Sequence, residues 1–276
     1  SSTNIAMPEN EKYAQPVAFL TNIQYKLSYN LSKEKNVRLF TWNQLAQNVF
    51  ATYNTMEEKE MKAVSNYVKS MKIAATASEE SRIVLLEDFL KTNVSINEEG
   101  IGEASEKIEK IIPTGVASHD GLKKLFVACM HALNINFQFV FPNKRNDIPI
   151  DTSIENYRLI DDLIFYFPST GHFLEPTNIG FRYPYIQPNW AATTGLFIET
   201  NSTVTGLEIS ASFNPVPIQP YDSSAHNIEM SLRFNETMDS VLMHSKQIFT
   251  GYGASLYRPA FHFLPKDKIQ DFTQEV

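Results

Sequence analysis

One stretch of the chain changes from a helical pattern to a strand pattern within a few residues. Between 118 and 135, the apolar residues recur at the spacing of one helix face, which holds Leu122, Leu125, Phe126, Cys129, Met130 and Leu133. Residues 136–141 then form a strand pattern, as do 163–167 and 173–177. A helix that must cover its apolar face and is followed at once by strands predicts an α+β fold.

Before residue 118 the sequence has mostly a helical period. Thr41 is a suitable N-cap for a helix over 42–50, and further helices are predicted over 57–71, 78–92 and 103–112. Upstream of them, apolar and polar side chains largely alternate over 17–29. This alternation predicts a strand, whose partners lie either in the C-terminal half or in upstream sequence.

From residue 195 onward the pattern is that of strands. Apolar and polar residues alternate, or nearly so, over 195–199, 207–213, 228–234 and 241–249. Turn signals such as Asn214-Pro215 separate these segments, as is typical of an antiparallel meander in a sandwich or small barrel. The stretch from Pro184 to Pro188 marks a boundary between the two halves.

Composition and charge argue against several classes of function. The 276-residue chain has a formal charge of −7 and no cluster of Lys and Arg, so nucleic acid is not a predicted partner. No apolar run is long enough for a transmembrane segment. The single cysteine allows no internal disulfide. Without a glycine-rich phosphate loop, a CxxC pair or an HExxH helix, no cofactor and no metal are predicted.

The order of these segments resembles the core of transglutaminase-like cysteine hydrolases. In that family a Cys opens the helix, a His begins a following strand, and an Asp lies in a Leu-Asp-Pro-Thr motif. The matching positions here are His119 (or Ser118), Asp162 and Glu175, the last within Leu174-Glu175-Pro176-Thr177. The resemblance therefore implies that the scaffold is kept while the thiol and the imidazole base are lost.

The resemblance extends to the multidomain transglutaminase-like proteins of Bacteroidetes, which carry a β-rich domain before the core and another after it. It implies the final strand or strands of an upstream β domain over 1–40. A transglutaminase-like, papain-like core over 41–188 follows, and then an all-β sandwich or barrel over 189–276. Such proteins are usually exported, so the resemblance also implies a periplasmic or cell-envelope location.

The leading functional hypothesis is a catalytically degenerate, exported binding or interaction module for a peptide, protein or glycan. Its ligand would bind in the vestigial cleft between His119, Asp162 and Glu175. One alternative is a peptidase or amidase that uses Ser118, His119 or a metal ion held by His119 and the two carboxylates. A second alternative is a structural domain of the cell envelope.

Several residues also have simpler structural interpretations. Cys129 lies inside the apolar row and is predicted to be buried and inert, and Ser118 is predicted to be the N-cap of its helix. An aromatic group near the boundary either packs in the interior or offers a platform for a ligand. Its ligand-binding candidates are Tyr183, Tyr185 and Trp190.

Overall fold

The chain adopts a mixed α+β fold in which helices come first and antiparallel sheets follow. The structure, a computed structural model, describes residues 17, 20, 22–30, 37–97, 105–203 and 206–275. Its helices are α1 (Trp42–Asn54), α2 (Glu58–Ser70), α3 (Glu79–Asn93), α4 (Ile108–Thr114), α5 (His119–Ala132), α6 (Arg258–Phe263) and α7 (Lys266–Glu275). Its strands are β1 (Tyr29–Asn30), β2 (Val37–Arg38), β3 (Ser95–Ile96), β4 (Val116–Ala117), β5 (Gln138–Pro142), β6 (Ile164–Phe167), β7 (His172–Leu174), β8 (Thr193–Thr203), β9 (Gly206–Val216), β10 (His226–Phe234) and β11 (Val241–Phe249).

Side-chain caps fix where the first helices begin. The Thr41 hydroxyl accepts a hydrogen bond from the Gln44 amide, and the Gln44 side chain accepts one from the Thr41 amide, which completes a capping box at α1. The Ser118 hydroxyl accepts from the Gly121 amide at 3.0 Å and caps α5. Both predicted N-caps are therefore confirmed. In place of a helix over 103–112, the structure has α4; residues 98–104 lie outside its description.

One five-stranded antiparallel sheet, in the order β7-β6-β5-β8-β9, forms the centre of the molecule. The strand β5 lies between β6 and β8, so that Phe139 is paired with Phe165 on one side and with Ile198 on the other. The buried face of α5 shares a hydrophobic cluster with these strands, and the rings of Phe126 and Phe165 are 6.2 Å apart. Burial of this face stabilises α5 more than its helix propensity does.

The central sheet continues across the boundary predicted at residue 188. Although β8 lies in the segment predicted to be a separate sandwich, its Leu196, Phe197 and Ile198 are all buried in the described structure. Three successive buried side chains require cover on both faces of a strand, which an internal position beside β5 provides. The remaining C-terminal strands, β10 and β11, form a separate hairpin, and two helices follow them.

The β10–β11 hairpin leaves an apolar face in contact with solvent. The alternate residues Ile228, Met230, Leu232 and Phe234 are each more than half exposed, and Met243 is paired with Leu232 on the same face. A two-stranded hairpin that buries so little apolar surface gains little stability of its own.

Of the strand predicted over 17–29, only Tyr29 is in a strand among the described residues. There β1 pairs with β2, while residues 22–28 have no assigned strand. Side chains in this segment nevertheless alternate in their surroundings. Lys26 forms an ion pair with Glu155, whereas Ile23 and Tyr25 are 91% and 90% exposed. Residues 1–16, 18, 19 and 21 lie outside the description.

None of the helices that the structure describes is long and apolar enough to cross a lipid bilayer.

Candidate functional site

The first turn of α5 is held in place by the segment before it. Gly115 has a left-handed backbone (φ 64°) that ends α4 and leads into β4, which pairs in parallel with β3. The carbonyl of Ser105 accepts a hydrogen bond from the Ser118 amide at 2.9 Å. The same carbonyl lies so close to Gly121 that a Cβ atom there would be 2.1 Å from it. This close approach fixes the position of the first turn of α5 relative to Ser105.

A cavity of about 260 Å³ lies beside the first turn of α5. We call it the α5 cavity. Its wall consists of side chains from α5, the end of α3, β3, the segment after β7, and α6. They are Lys91, Val94, Ser95, Ile96, His119, Leu122, Pro176, Thr177, Ile179, His262 and Phe263.

The structure places the three vestigial positions in different surroundings. His119 lines the α5 cavity, and Glu175 directly precedes the two lining residues Pro176 and Thr177. Asp162 is not among the lining residues; its carboxylate is bound by Lys123, one turn along α5 from His119. Within the described part of the chain, no group of three or more His, Cys, Asp or Glu side chains could hold a metal ion, so His119, Asp162 and Glu175 do not form such a group.

Asp162 belongs to a small polar network on the flank of α5. The buried Lys123 side chain forms ion pairs with Asp162 at 2.5 Å and with Asp120 at 3.4 Å, and the Tyr53 hydroxyl donates to Asp120 at 2.8 Å. Burial alone would raise the pKa of Asp120, but the Tyr53 hydrogen bond and the Lys123 charge hold it below its ordinary value. Burial, together with the Asp120 carboxylate, raises the pKa of the Tyr53 hydroxyl. The described contacts of Asp162 thus hold its carboxylate at Lys123.

Glu175 is a buried carboxyl group, only 2% exposed. Its oxygens accept hydrogen bonds from the Gln187 amide at 3.0 Å and from the Gln187 side chain at 2.8 Å. Burial raises the pKa of Glu175, although the hydrogen bonds from Gln187 and the charge of Lys91 oppose this shift. The described hydrogen bonds thus direct Glu175 toward the loop at 187.

A buried ion pair on α3, which we did not predict, forms part of the cavity wall. The Lys91 ammonium contacts the Glu87 carboxylate at 2.8 Å and also donates to the carbonyls of Asn178 and Phe181. The second Glu87 oxygen accepts from the Tyr183 amide at 2.9 Å. The Glu-to-Lys spacing of four residues on α3 was the available sequence signal, but such a pair is usually exposed. This one fastens the segment 178–183 to α3.

The three aromatic candidates do not share one surface. Trp190 is buried, and its indole N–H donates to Asp161 at 2.7 Å. The Tyr183 hydroxyl donates to Thr170 at 2.8 Å, and its ring packs edge-on against Phe167. The half-buried Tyr185 packs against Tyr252. These contacts favour the packing interpretation for Trp190 and Tyr183.

The only thiol in the chain lies away from the α5 cavity. Cys129 is fully buried in the middle of α5, as predicted, and burial raises its thiol pKa well above the ordinary value. A protonated, inaccessible thiol is neither a nucleophile nor a metal ligand.

Comparison of the chain with protein-family models, with curated proteins and with solved structures finds no match.

Proposed function

We propose that the chain is a transglutaminase-like protein without catalytic groups that acts as a binding module, with the α5 cavity as its ligand site. One observation carries this proposal. The cavity lies at the start of the helix, where the resembled hydrolases carry their nucleophile, and His119 is the residue at that position that lines it. The thiol at Cys129 is buried farther along the same helix.

The order of the elements around the cavity supports a transglutaminase-like core. The helix α5 is followed by the antiparallel strands β5, β6 and β7, and the segment after β7 contributes Pro176 and Thr177 to the cavity wall. In the resembled family, the Asp-Pro-Thr segment likewise contributes to the site at the start of the helix. The proposal assigns Glu175 the position of that Asp.

The polar partners of the two acidic positions favour binding over hydrolysis. Asp162 is ion-paired to Lys123, and Glu175 is held by Gln187, so the described contacts leave neither carboxylate directed at His119. A hydrolase needs a nucleophile, a base and an orienting group in mutual contact. A ligand site needs only a shaped, partly apolar cavity with a few polar groups. Export to the periplasm or cell envelope stays a prediction from the resemblance.

A binding screen with a cavity-filling variant tests the proposal. The purified chain is applied to arrays of immobilised peptides and glycans, and each hit is measured again in solution by calorimetry. We expect His119→Trp to abolish binding of the selected ligand, because the larger ring occupies the α5 cavity.

A matched substitution on the same helix serves as the control. His131→Trp makes the same change at an exposed position at the other end of α5 and should leave the affinity unaltered. Far-UV circular dichroism of both variants shows whether the fold is kept. Undiminished binding by a folded His119→Trp protein would place the ligand elsewhere and would overturn the proposal.

A further inference from the structure

The α5 cavity adjoins a second cavity across a shared side chain. This second cavity, of about 380 Å³, is lined by Arg182, Phe249, Ala254, Tyr257, Arg258, Phe261 and His262. His262 contributes to the walls of both cavities. The two cavities therefore adjoin at α6, and together we call them the basic groove.

The charge of the basic groove is opposite to that of the chain as a whole. The chain has 31 acidic and 24 basic residues. Among the described residues that line the groove, however, none is Asp or Glu, whereas Lys91, Arg182 and Arg258 carry positive charge and two histidines join them. Low-dielectric walls around charges of one sign concentrate their field in the depression.

The two arginines retain hydrogen-bond donors for a ligand. Arg258 donates one of its N–H groups to the Gly180 carbonyl at 2.9 Å, and among the described residues the Arg182 side chain forms a long 3.6 Å ion pair with the exposed Asp88. A guanidinium has several further N–H donors in a planar fork that matches a carboxylate. Burial and then the neighbouring Arg182 charge lower the pKa of Arg258, so an arriving anion would relieve repulsion between the two guanidiniums.

Lys91 has a different role from the arginines. Its ammonium already donates to Glu87 and to two backbone carbonyls, so its described contacts use its three donors. Because the Glu87 carboxylate lies 2.8 Å away, the charge of Lys91 is balanced, and Lys91 is not a direct ligand contact. The direct contacts with a ligand therefore fall to the two arginines.

The apolar residues of the lining indicate which other groups the ligand carries beside its anionic groups. Phe249, Tyr257 and Phe261 surround the arginine end, and Ile96, Leu122 and Phe263 surround the His119 end. The two guanidiniums with available donors both line the second cavity, and two guanidiniums suit a ligand with more than one carboxylate. Aromatic walls suit apolar side chains between those groups.

We propose that the basic groove binds an acidic peptide segment in which carboxylate side chains alternate with apolar or aromatic ones. This inference rests on the proposed binding function and names its ligand class. The peptide carboxylates pair with the forks of Arg182 and Arg258, while its apolar side chains pack against Phe261 and into the α5 cavity.

A labelled peptide series tests the proposal with the full chain. The first peptide alternates glutamate with phenylalanine, the second replaces each glutamate by glutamine, and the third replaces it by lysine. Fluorescence anisotropy at low and high salt should show binding of the first peptide alone, weakened by salt. Equal binding of the glutamine peptide would overturn the assignment of charge.

Paired variants locate the binding within the groove. Ala254→Glu places a carboxylate in the groove and should weaken binding at least about tenfold, a change of roughly 1.4 kcal/mol, relative to the isosteric Ala254→Gln. Arg182→Gln combined with Arg258→Gln should act in the same direction, whereas Arg158→Gln combined with Arg233→Gln makes the same charge change at exposed positions outside the groove. Because Arg258 also bonds a backbone carbonyl, the Ala254 pair decides the result if the arginine variant does not fold.

The outcomes separate this inference from the function on which it depends. One outcome is that the glutamate peptide does not bind, whereas a neutral peptide or glycan binds to the natural chain and not to His119→Trp. The proposed ligand class is then wrong, and the binding function stands. If the glutamate peptide binds equally to Ala254→Glu and Ala254→Gln, the groove is not its site. If His119→Trp changes the binding of no ligand, both proposals fail.

Discussion

At the scale of single residues, Gly121 makes a counterintuitive prediction. Replacing a helical glycine by alanine normally stabilises a helix by about 1 kcal/mol. In α5, however, the new methyl group would lie 2.1 Å from the Ser105 carbonyl oxygen. We expect Gly121→Ala to destabilise the protein by about 2 kcal/mol, because backbone must move to relieve the overlap. Thermal unfolding followed by circular dichroism measures the change.

The same substitution at Gly253 provides the comparison. There the nearest atoms to an added methyl group would be 3.9 Å away, so Gly253→Ala should leave the melting temperature unaltered or raise it slightly. A melting temperature that rises in both variants would show that the start of α5 is less tightly packed than described.

The buried Glu175 carboxyl makes a prediction about pH. Burial raises its folded-state pKa above the ordinary value of 4.5. The stabilising contribution of the protonated group is therefore fully present below that pH and is lost as the pH rises through the folded-state pKa. Glu175→Gln cannot ionise, and its amide can still pair with Gln187 if the Gln187 amide is flipped. We expect the free energy of unfolding of Glu175→Gln, relative to that of the natural chain, to increase as the pH rises.

Urea unfolding of the two proteins, from acidic to mildly alkaline pH, measures this difference. Glu236→Gln removes a charge at an exposed position and controls for the change in net charge. Parallel pH profiles for the natural chain and Glu175→Gln would contradict the assignment of a raised pKa to this group.

At the scale of secondary-structure elements, two strands that each contain a leucine differ in how much that leucine contributes to stability. Leu196 of β8 is fully buried in the central sheet, whereas Leu232 of β10 is 57% exposed. We expect Leu196→Ala to lower the free energy of unfolding by about 3 kcal/mol and Leu232→Ala by less than about 0.5 kcal/mol. Denaturant titration of both variants gives the two values. A large loss at Leu232 would mean that the apolar face of the hairpin is covered in solution.

The positions of the elements were largely predictable, but their pairing was not. Hydrophobic period placed α1, α3, α5 and the later strands within a few residues, because local side-chain patterning decides helix against strand. It could not show that β8 pairs with β5, since β8 and β10 both read as alternating strands. What separates them is the unbroken run Leu196-Phe197-Ile198, the mark of a strand buried on both faces.

The candidate site was only partly predictable for a related reason. His119 (or Ser118) was identified because the resemblance places it where the family's Cys opens the helix, and His119 lines a cavity wall. The α6 side of the basic groove was missed, because no helix was predicted over 258–263. Arg182 and Arg258 are distant in sequence, and only tertiary packing brings them to one depression.

At the scale of the whole molecule, the central sheet predicts where the chain can be shortened. A chain ending at 188 would lack β8 and so would leave one edge of β5, with its buried Val140, unpaired. We expect that fragment to show no cooperative unfolding transition. A chain ending at 220 retains all of β7-β6-β5-β8-β9 and should unfold cooperatively.

Thermal denaturation of both purified fragments beside the full chain measures this. A cooperative transition in the shorter fragment, near the melting temperature of the full chain, would establish an independent core that ends at the predicted boundary. The longer fragment also lacks α6, so it should keep the fold while losing any ligand that depends on the basic groove.

The burial of Cys129 has a practical consequence for spectroscopy. Since it is the sole cysteine and its sulfur is enclosed by the helix packing, maleimide reagents should leave the natural chain unmodified. A cysteine introduced at Met238, which is 75% exposed at the hairpin tip, would then carry a dye or spin label at one defined point. Motion of the hairpin could be recorded in this way without first removing a native thiol.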